Sequence, residues 1–187
     1  MAEKMPAVQL EDDAKERISL MIEHRLPWLL VGMIGGVLLT IFLSSFERLL
    51  ERNIQLTFFM PIIVYMADAV GTQTESVFVR NLGREKVRLS LYLFKEFLLG
   101  LVLGAVFGGG IGIFAYLWFQ SQDTALVVGL AMFATIAVAP VVALLIPAVI
   151  QRKHTDPALG TGPFATVIQD ALSLLIYFAV AGVVMYS

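Results

Sequence analysis

Residues 97–150 read FLLGLVLGAVFGGGIGIFAYLWFQSQDTALVVGLAMFATIAVAPVVALLIPAVI, and this stretch decides the fold. It is apolar along nearly its whole length, with one polar run, Gln120-Ser121-Gln122-Asp123-Thr124. Crossing about 30 Å of hydrocarbon takes about 20 helical residues. The stretch is therefore too long for one crossing and suits two helices joined by a tight turn. Its apolar runs are continuous rather than ten-residue alternations, which favours helices over barrel strands. Within the first of the two, Gly100, Gly104, Gly108 and Gly112 recur every fourth residue, with Ala105, Gly109 and Gly110 beside them. That spacing predicts a small-residue face against which another helix packs closely. In the second, Pro140 and Pro147 each remove a backbone hydrogen bond and should kink or loosen the helix.

Working outward, runs at 27–46, 56–79 and 164–186 join those at 97–119 and 125–150. The expected fold is an all-α integral membrane protein with five transmembrane helices. Composition agrees: 58% of the 187 residues are hydrophobic, against roughly 45–50% in soluble domains, and the mean hydropathy is +0.83. Such a chain needs lipid. The formal charge of −2 says little about partners, because charge is concentrated at the start and in short polar segments. With no cysteine, disulfides, thiolate metal sites and thiol catalysis are all excluded. The opening MAEKMPAVQLEDDAKER lacks a signal-peptide pattern, so the first span is expected to be retained. From Leu10 to Leu26, apolar residues recur at helical spacing among acidic and basic ones, predicting an amphipathic helix at the membrane surface. The domain division is an amphipathic segment at 1–25 and a five-helix transmembrane domain at 26–187.

Basic residues set the orientation. Lys4, Lys15, Arg17 and Arg25 precede the first span, Arg80, Arg84, Lys86, Arg88 and Lys95 fall between the second and third, and Arg152 and Lys153 precede the fifth. Only Arg48 and Arg52 of the 13 basic residues fall on the other side. A multi-pass protein of the cell inner (plasma) membrane follows, with its N-terminus cytoplasmic and its C-terminus outside. Five spans cannot divide into two equal inverted repeats, so a two-fold pore calls for two parallel copies, a homodimer.

Charges inside spans are costly and usually face a cavity or a partner. The second span carries Asp68, Thr72 and Glu75, whose steps of four and three residues share one helical face. Gln73, Thr74 and Ser76 add oxygen atoms nearby, and Gly71 admits a close neighbour. The fifth span carries Thr166, Asp170, Ser173 and Tyr177, a second oxygen-bearing stripe. Carboxylates and hydroxyls without histidine or cysteine suit hard cations. Magnesium sheds water reluctantly, so a few carboxylates and several retained waters make a plausible site for it. Paired Asp170 side chains across a two-fold axis would repel one another when empty, and a divalent cation between them would remove that repulsion. The bland alternative is that Asp68 or Asp170 hydrogen-bonds a neighbouring helix, or that Glu75 pairs with Arg80. His24 and His154 fall in polar segments and read as surface residues. Phosphate-loop, HExxH and GxSxG patterns are all missing, and no enzyme or nucleic-acid-binding activity is expected.

The assembled residues resemble the membrane domain of the MgtE family of magnesium channels and transporters. The resemblance rests on Arg25-Leu26-Pro27-Trp28-Leu29-Leu30, Phe46-Glu47, Met60-Pro61-Ile62, Gly71-Thr72-Gln73, Val79-Arg80-Asn81-Leu82, Asp156-Pro157-Ala158, Thr161-Gly162-Pro163, Thr166, Asp170 and Ile176-Tyr177-Phe178. It implies a homodimer with the ion path on its axis, lined by the second and fifth helices. Asp170 matches the family's magnesium-binding aspartate. It also implies that a turn at 161–163, with Thr166, shapes the cytoplasmic approach. Typical members carry Gly-Gly-Asn-Ala-Gly before the glutamine, where this chain has Ala67-Asp68-Ala69-Val70-Gly71. Typical members also carry a large cytoplasmic magnesium sensor, whereas about 25 residues precede the first span here. Transport without that feedback is expected, unless a separate regulatory protein supplies it.

The leading expectation is a divalent cation channel or transporter, Mg2+ being the bound and transported ion, with no cofactor. Exchange of the divalent ion against Na+ or H+ is the alternative within transport. A non-transporting membrane scaffold or regulatory subunit, recruiting a partner through the glycine face, is the alternative outside it.

Overall fold

The computed structural model describes residues 17–82, 89–151 and 157–186. Helix α1 spans Ile18–Ser44, the short α2 spans Glu47–Arg52, and a 3-10 segment at Ile54–Phe59 leads into α3, Met60–Leu82. Then follow α4 (Leu89–Phe119), α5 (Gln122–Gln151) and α6 (Pro157–Tyr186). Among the described residues there is no strand, and five helices are long and apolar enough to cross a membrane.

Each predicted span is present, and most begin earlier than the apolar runs suggest. The predicted amphipathic helix at 10–26 is not a separate element where it is described. From Ile18 it continues into the first span as one helix, with Pro27 inside it. Pro27 is the one helix-breaking residue between Glu23 and Leu30, and a single interior proline does not end a helix of this length. Residues 10–16 lie outside the described residues. The turn implied at 161–163 is also overturned, because α6 starts at Pro157 and runs through Thr161, Gly162 and Pro163. Pro157 suits a first helical position, where its missing N–H leaves nothing unsatisfied. One interior proline removes a hydrogen bond without ending a helix this long.

Helix α5 is the hub, with α4, α3 and α6 packed around it and α1 lying outside on α6. Its most extensive partner is α4. The two form a hairpin that turns at Gln120, whose φ of 52° is the left-handed conformation that ends a helix. The Gln120 N–H donates to the Tyr116 carbonyl at 2.8 Å. Ser121 then caps α5, its Oγ accepting from the Thr124 N–H at 3.3 Å. The glycine face fits this hairpin as expected. A methyl group added at Gly104 would stand 2.6 Å from the Phe133 carbonyl oxygen, and one at Gly108 would stand 2.6 Å from that of Gly129. Gly109 and Gly110 instead face open space.

The core joins Ile63 and Val70 of α3, Val127, Val128, Ala131, Met132 and Ile136 of α5, and Leu174, Tyr177, Phe178 and Ala181 of α6. Lipid is as apolar as these side chains, so close packing and hydrogen bonds hold the helices together. Two hydrogen bonds tie down the 3-10 segment. The Tyr177 hydroxyl donates to the Leu56 carbonyl at 2.6 Å, and Thr124 donates to Gln55 Oε1 at 2.9 Å. Phe46 stacks on Phe178 with ring centroids 4.1 Å apart, seating the connection between α1 and α3 against α6. Leu29, Ile34, Val37, Leu38 and Ile41 of α1 and Val102, Val106, Ile113 and Leu117 of α4 are exposed, as lipid-facing residues should be.

Candidate functional site

A cavity of about 120 Å³ opens between the middle and C-terminal part of α3, the C-terminal half of α5 and the N-terminal half of α6. Helix α3 contributes Asp68, Gly71, Thr72 and Glu75, α5 contributes Ala143 and Ile146, and α6 contributes Ala165, Thr166 and Gln169. The helical spacing of the polar residues is what puts them on one wall. Thr72 and Thr166 are exposed, Asp68 and Glu75 are half-buried, and Gln169 is buried. The space is large enough for several waters.

Four residues expected at the site, Asp68, Thr72, Glu75 and Thr166, thus line one cavity from two helices. Asp170 follows the lining residue Gln169 directly in α6 and is half-buried, but it is not itself among the residues that line the cavity. Ser173 and Tyr177 do not line it. The Ser173 hydroxyl is buried and donates to its own helix at the Gln169 carbonyl, 2.7 Å away. Tyr177 is committed to Leu56. The second oxygen-bearing stripe is therefore divided: its first turn meets the cavity and its later turns hold the fold. Gly71 admits Ala143 and Gln169, but an added methyl would stand 3.5 Å from the Ala143 Cβ and 3.6 Å from Gln169 Oε1. These are ordinary contacts, so the approach does not require a glycine.

Two polar residues escaped the sequence reading. Gln169 stands three residues after Thr166, a spacing that places the two side by side, and an amide among carboxylates carries no charge signal. Glu96 was hidden because the apolar run of the third span begins at Phe97, while α4 itself begins at Leu89.

The lining is a hard-donor set of carboxylate, hydroxyl and amide oxygens. Among the described residues, no three histidine, cysteine, aspartate or glutamate side chains converge as a closed metal centre. An open arrangement of few carboxylates suits an ion that keeps much of its water, as magnesium does. It is poorly suited to tight, dehydrated chelation.

Residues 60–180 match the family model described as MgtE, divalent cation transporter. The chain is 32% identical over 167 residues to the magnesium transporter MgtE of Bacillus subtilis, covering 88% of this chain and 37% of that protein. It is 35% identical over 164 residues to the magnesium transporter MgtE of Enterococcus faecalis, covering 86% and 36% respectively. With the magnesium transporter MgtE of Thermus thermophilus the identity is 28% over 160 residues, covering 84% and 35%. The chain therefore spans little more than a third of the length of these relatives.

Proposed function

We propose, on the premise that this chain belongs to the MgtE family of divalent cation transporters, that it conducts hydrated magnesium through a pore on the axis of a parallel homodimer. The observation that carries this reading is the cavity in which α3 and α6 present Asp68, Thr72, Glu75, Thr166 and Gln169 together. Its hard oxygen donors match the ion, and its incompleteness within one chain matches a site finished by a second copy. Asp170 is the residue assigned to the hydrated ion at the axis, with Asp68, Thr72, Glu75 and Thr166 along the approach. Ser173 supports this set from behind by holding the backbone at Gln169. The basic-residue bias supports a cytoplasmic N-terminus and an outward C-terminus.

Coupled exchange with Na+ or H+ is the second reading, favoured by the two carboxylates, Asp68 and Glu75, on one cavity wall. A carboxylate pair can trade one divalent ion for smaller charges. Uptake into liposomes containing purified protein tests both readings, comparing magnesium, manganese, cobalt and calcium under imposed voltage, with and without Na+ and proton gradients. Magnesium flux driven by its own electrochemical gradient and lost in Asp170→Ala, with assembly intact, is the expected result. Unchanged flux in that variant would remove Asp170 from the path, and flux that requires a Na+ or proton gradient would favour exchange.

A further inference from the structure

Helices α3 and α4 both pack on α5 and make little direct contact with each other. Where they do meet, the pairing is specific. The Thr74 hydroxyl donates to Glu96 Oε2 at 2.9 Å, and the Phe78 ring lies 5.5 Å from that of Tyr92. Thr74 and Phe78 are one turn apart on α3, and Tyr92 and Glu96 are one turn apart on α4. The two contacts are therefore successive rungs of one antiparallel ladder. Thr74 is buried. A threonine inside a helix ordinarily returns its hydroxyl to the carbonyl four residues back, yet this one reaches across to the neighbouring helix.

The placement of these rungs on α3 matters for the cavity. At about 100° per residue, Thr74 lies nearly opposite Thr72 around the helix. A bond that fixes Thr74 against α4 therefore fixes the rotation at which Asp68, Thr72 and Glu75 meet the cavity. A hydrogen bond to a carboxylate is stronger and more directional than one between neutral groups, and it is strengthened again away from water. The aromatic rung restrains translation along the pair, so the two contacts together restrain both rotation and register.

We propose that Thr74–Glu96 and Phe78–Tyr92 form a clamp that holds α3 in the phase presenting its oxygen donors to the cavity, with Glu96 as a positioning residue for the cation. The positioning role rests on the transport reading, whereas the clamp does not. The chain has no cysteine, so spin labels placed through Val77→Cys and Leu91→Cys, both exposed positions beside the second rung, report the α3–α4 separation. In detergent-solubilised protein diluted with unlabelled chains, pulsed electron resonance should give a narrow distance distribution. Glu96→Leu and Thr74→Val should broaden or shift it, while Glu96→Gln and Thr74→Ser, which keep an acceptor and a donor, preserve it. In liposomes, without labels, Glu96→Leu and Thr74→Val should each raise the half-saturating magnesium concentration by about three- to tenfold at similar maximal uptake. The double variant should be no worse than either single one, because both remove the same bond.

An unchanged distance distribution in Glu96→Leu overturns the clamp whatever the transport result. A changed distribution with unchanged half-saturation overturns the positioning role. Wild-type protein that moves no ion refutes the transport reading and the positioning role with it, while the distances still decide whether the clamp exists.

Discussion

Replacing Gly104 with alanine sets two known effects against each other, and the structure decides which wins. In a helix interior, alanine is favoured over glycine by about 1 kcal/mol. At Gly104 the added methyl would stand 2.6 Å from the Phe133 carbonyl oxygen, against 3.4 Å where ordinary contact begins. The α4–α5 interface must therefore open by several tenths of an ångström. That carbonyl belongs to a helix backbone and cannot rotate away. Opening the interface there also loosens the contacts at Gly100 and Gly108, which lie one turn to either side. Overpacking of this kind costs about 1–3 kcal/mol, enough to outweigh the propensity gain. Gly109 is the internal control, since nothing lies within 4 Å of a methyl placed there. Gly109→Ala should be neutral or stabilising by up to about 1 kcal/mol, and Gly104→Ala destabilising by up to about 2 kcal/mol. Thermal or denaturant unfolding in one detergent, with the two variants side by side, measures the difference. Equal stability of the two would refute the packing argument and leave the glycine face without a role in the hairpin.

Four further substitutions test individual side chains. Tyr177→Phe deletes the hydroxyl that satisfies the Leu56 carbonyl and should cost about 0.5–2 kcal/mol in the same unfolding assay, while magnesium uptake keeps its half-saturating concentration; a large change in that concentration would place Tyr177 in the ion path after all. Asp68→Asn removes one charge from the cavity wall and should raise half-saturation about tenfold, equivalent to a charge interaction of about 1.4 kcal/mol, and an unaltered value would show that the ion passes without sensing Asp68. Ser121→Ala removes the cap of α5 and should cost about 1 kcal/mol, whereas Gln120→Gly relieves the left-handed backbone at 52° and should stabilise by up to about 1 kcal/mol, both read as shifts in midpoint.

The five spans, the 120–124 turn and the glycine face were all legible in the sequence because each rests on a strong local rule. Hydrocarbon forbids unsatisfied backbone, so long apolar runs must be helices. The ends of those helices were less legible. LSLYLFKE at 89–96 continues α4 with mixed polarity, outside the apolar run that begins at Phe97. That boundary concealed Glu96 and with it the contact between α3 and α4. Helical spacing put Asp68 and Thr166 on polar faces that border the cavity, but on the fifth span it also grouped Ser173 and Tyr177 with Thr166, and those two do not line it. Periodicity gives the side of a helix on which a residue lies. It cannot tell whether that side, a turn or two further along, still borders a cavity or has entered the core. Tyr177 entered it, because the partner for its hydroxyl comes from Leu56, a pairing 121 residues distant in sequence.

What separates the two kinds of polar residue in this bundle is satisfaction rather than type. Within hydrocarbon, an unpaired hydroxyl or carboxylate is costly, so a polar group usually finds a protein partner or opens onto water; the buried Thr135 hydroxyl of α5, which has no hydrogen-bond partner, is an exception. Thr124, Ser173 and Tyr177 each donate a hydrogen bond within the protein, respectively to Gln55, the Gln169 carbonyl and the Leu56 carbonyl. Thr72 and Thr166 are exposed on the cavity wall, where water or an ion can meet them. Thr74 connects the two groups, since it belongs to the same helix turn as Thr72 yet is buried against Glu96. Polar groups committed to the fold thus surround those left open, and a variant that frees a committed group should disturb the cavity from behind. For that reason the conservative variants Thr74→Ser and Thr74→Val are more informative than alanine at the same position. The serine keeps the donor and loses a methyl, the valine keeps the volume and loses the donor, and a disturbance present in the valine but not in the serine reports the hydrogen bond.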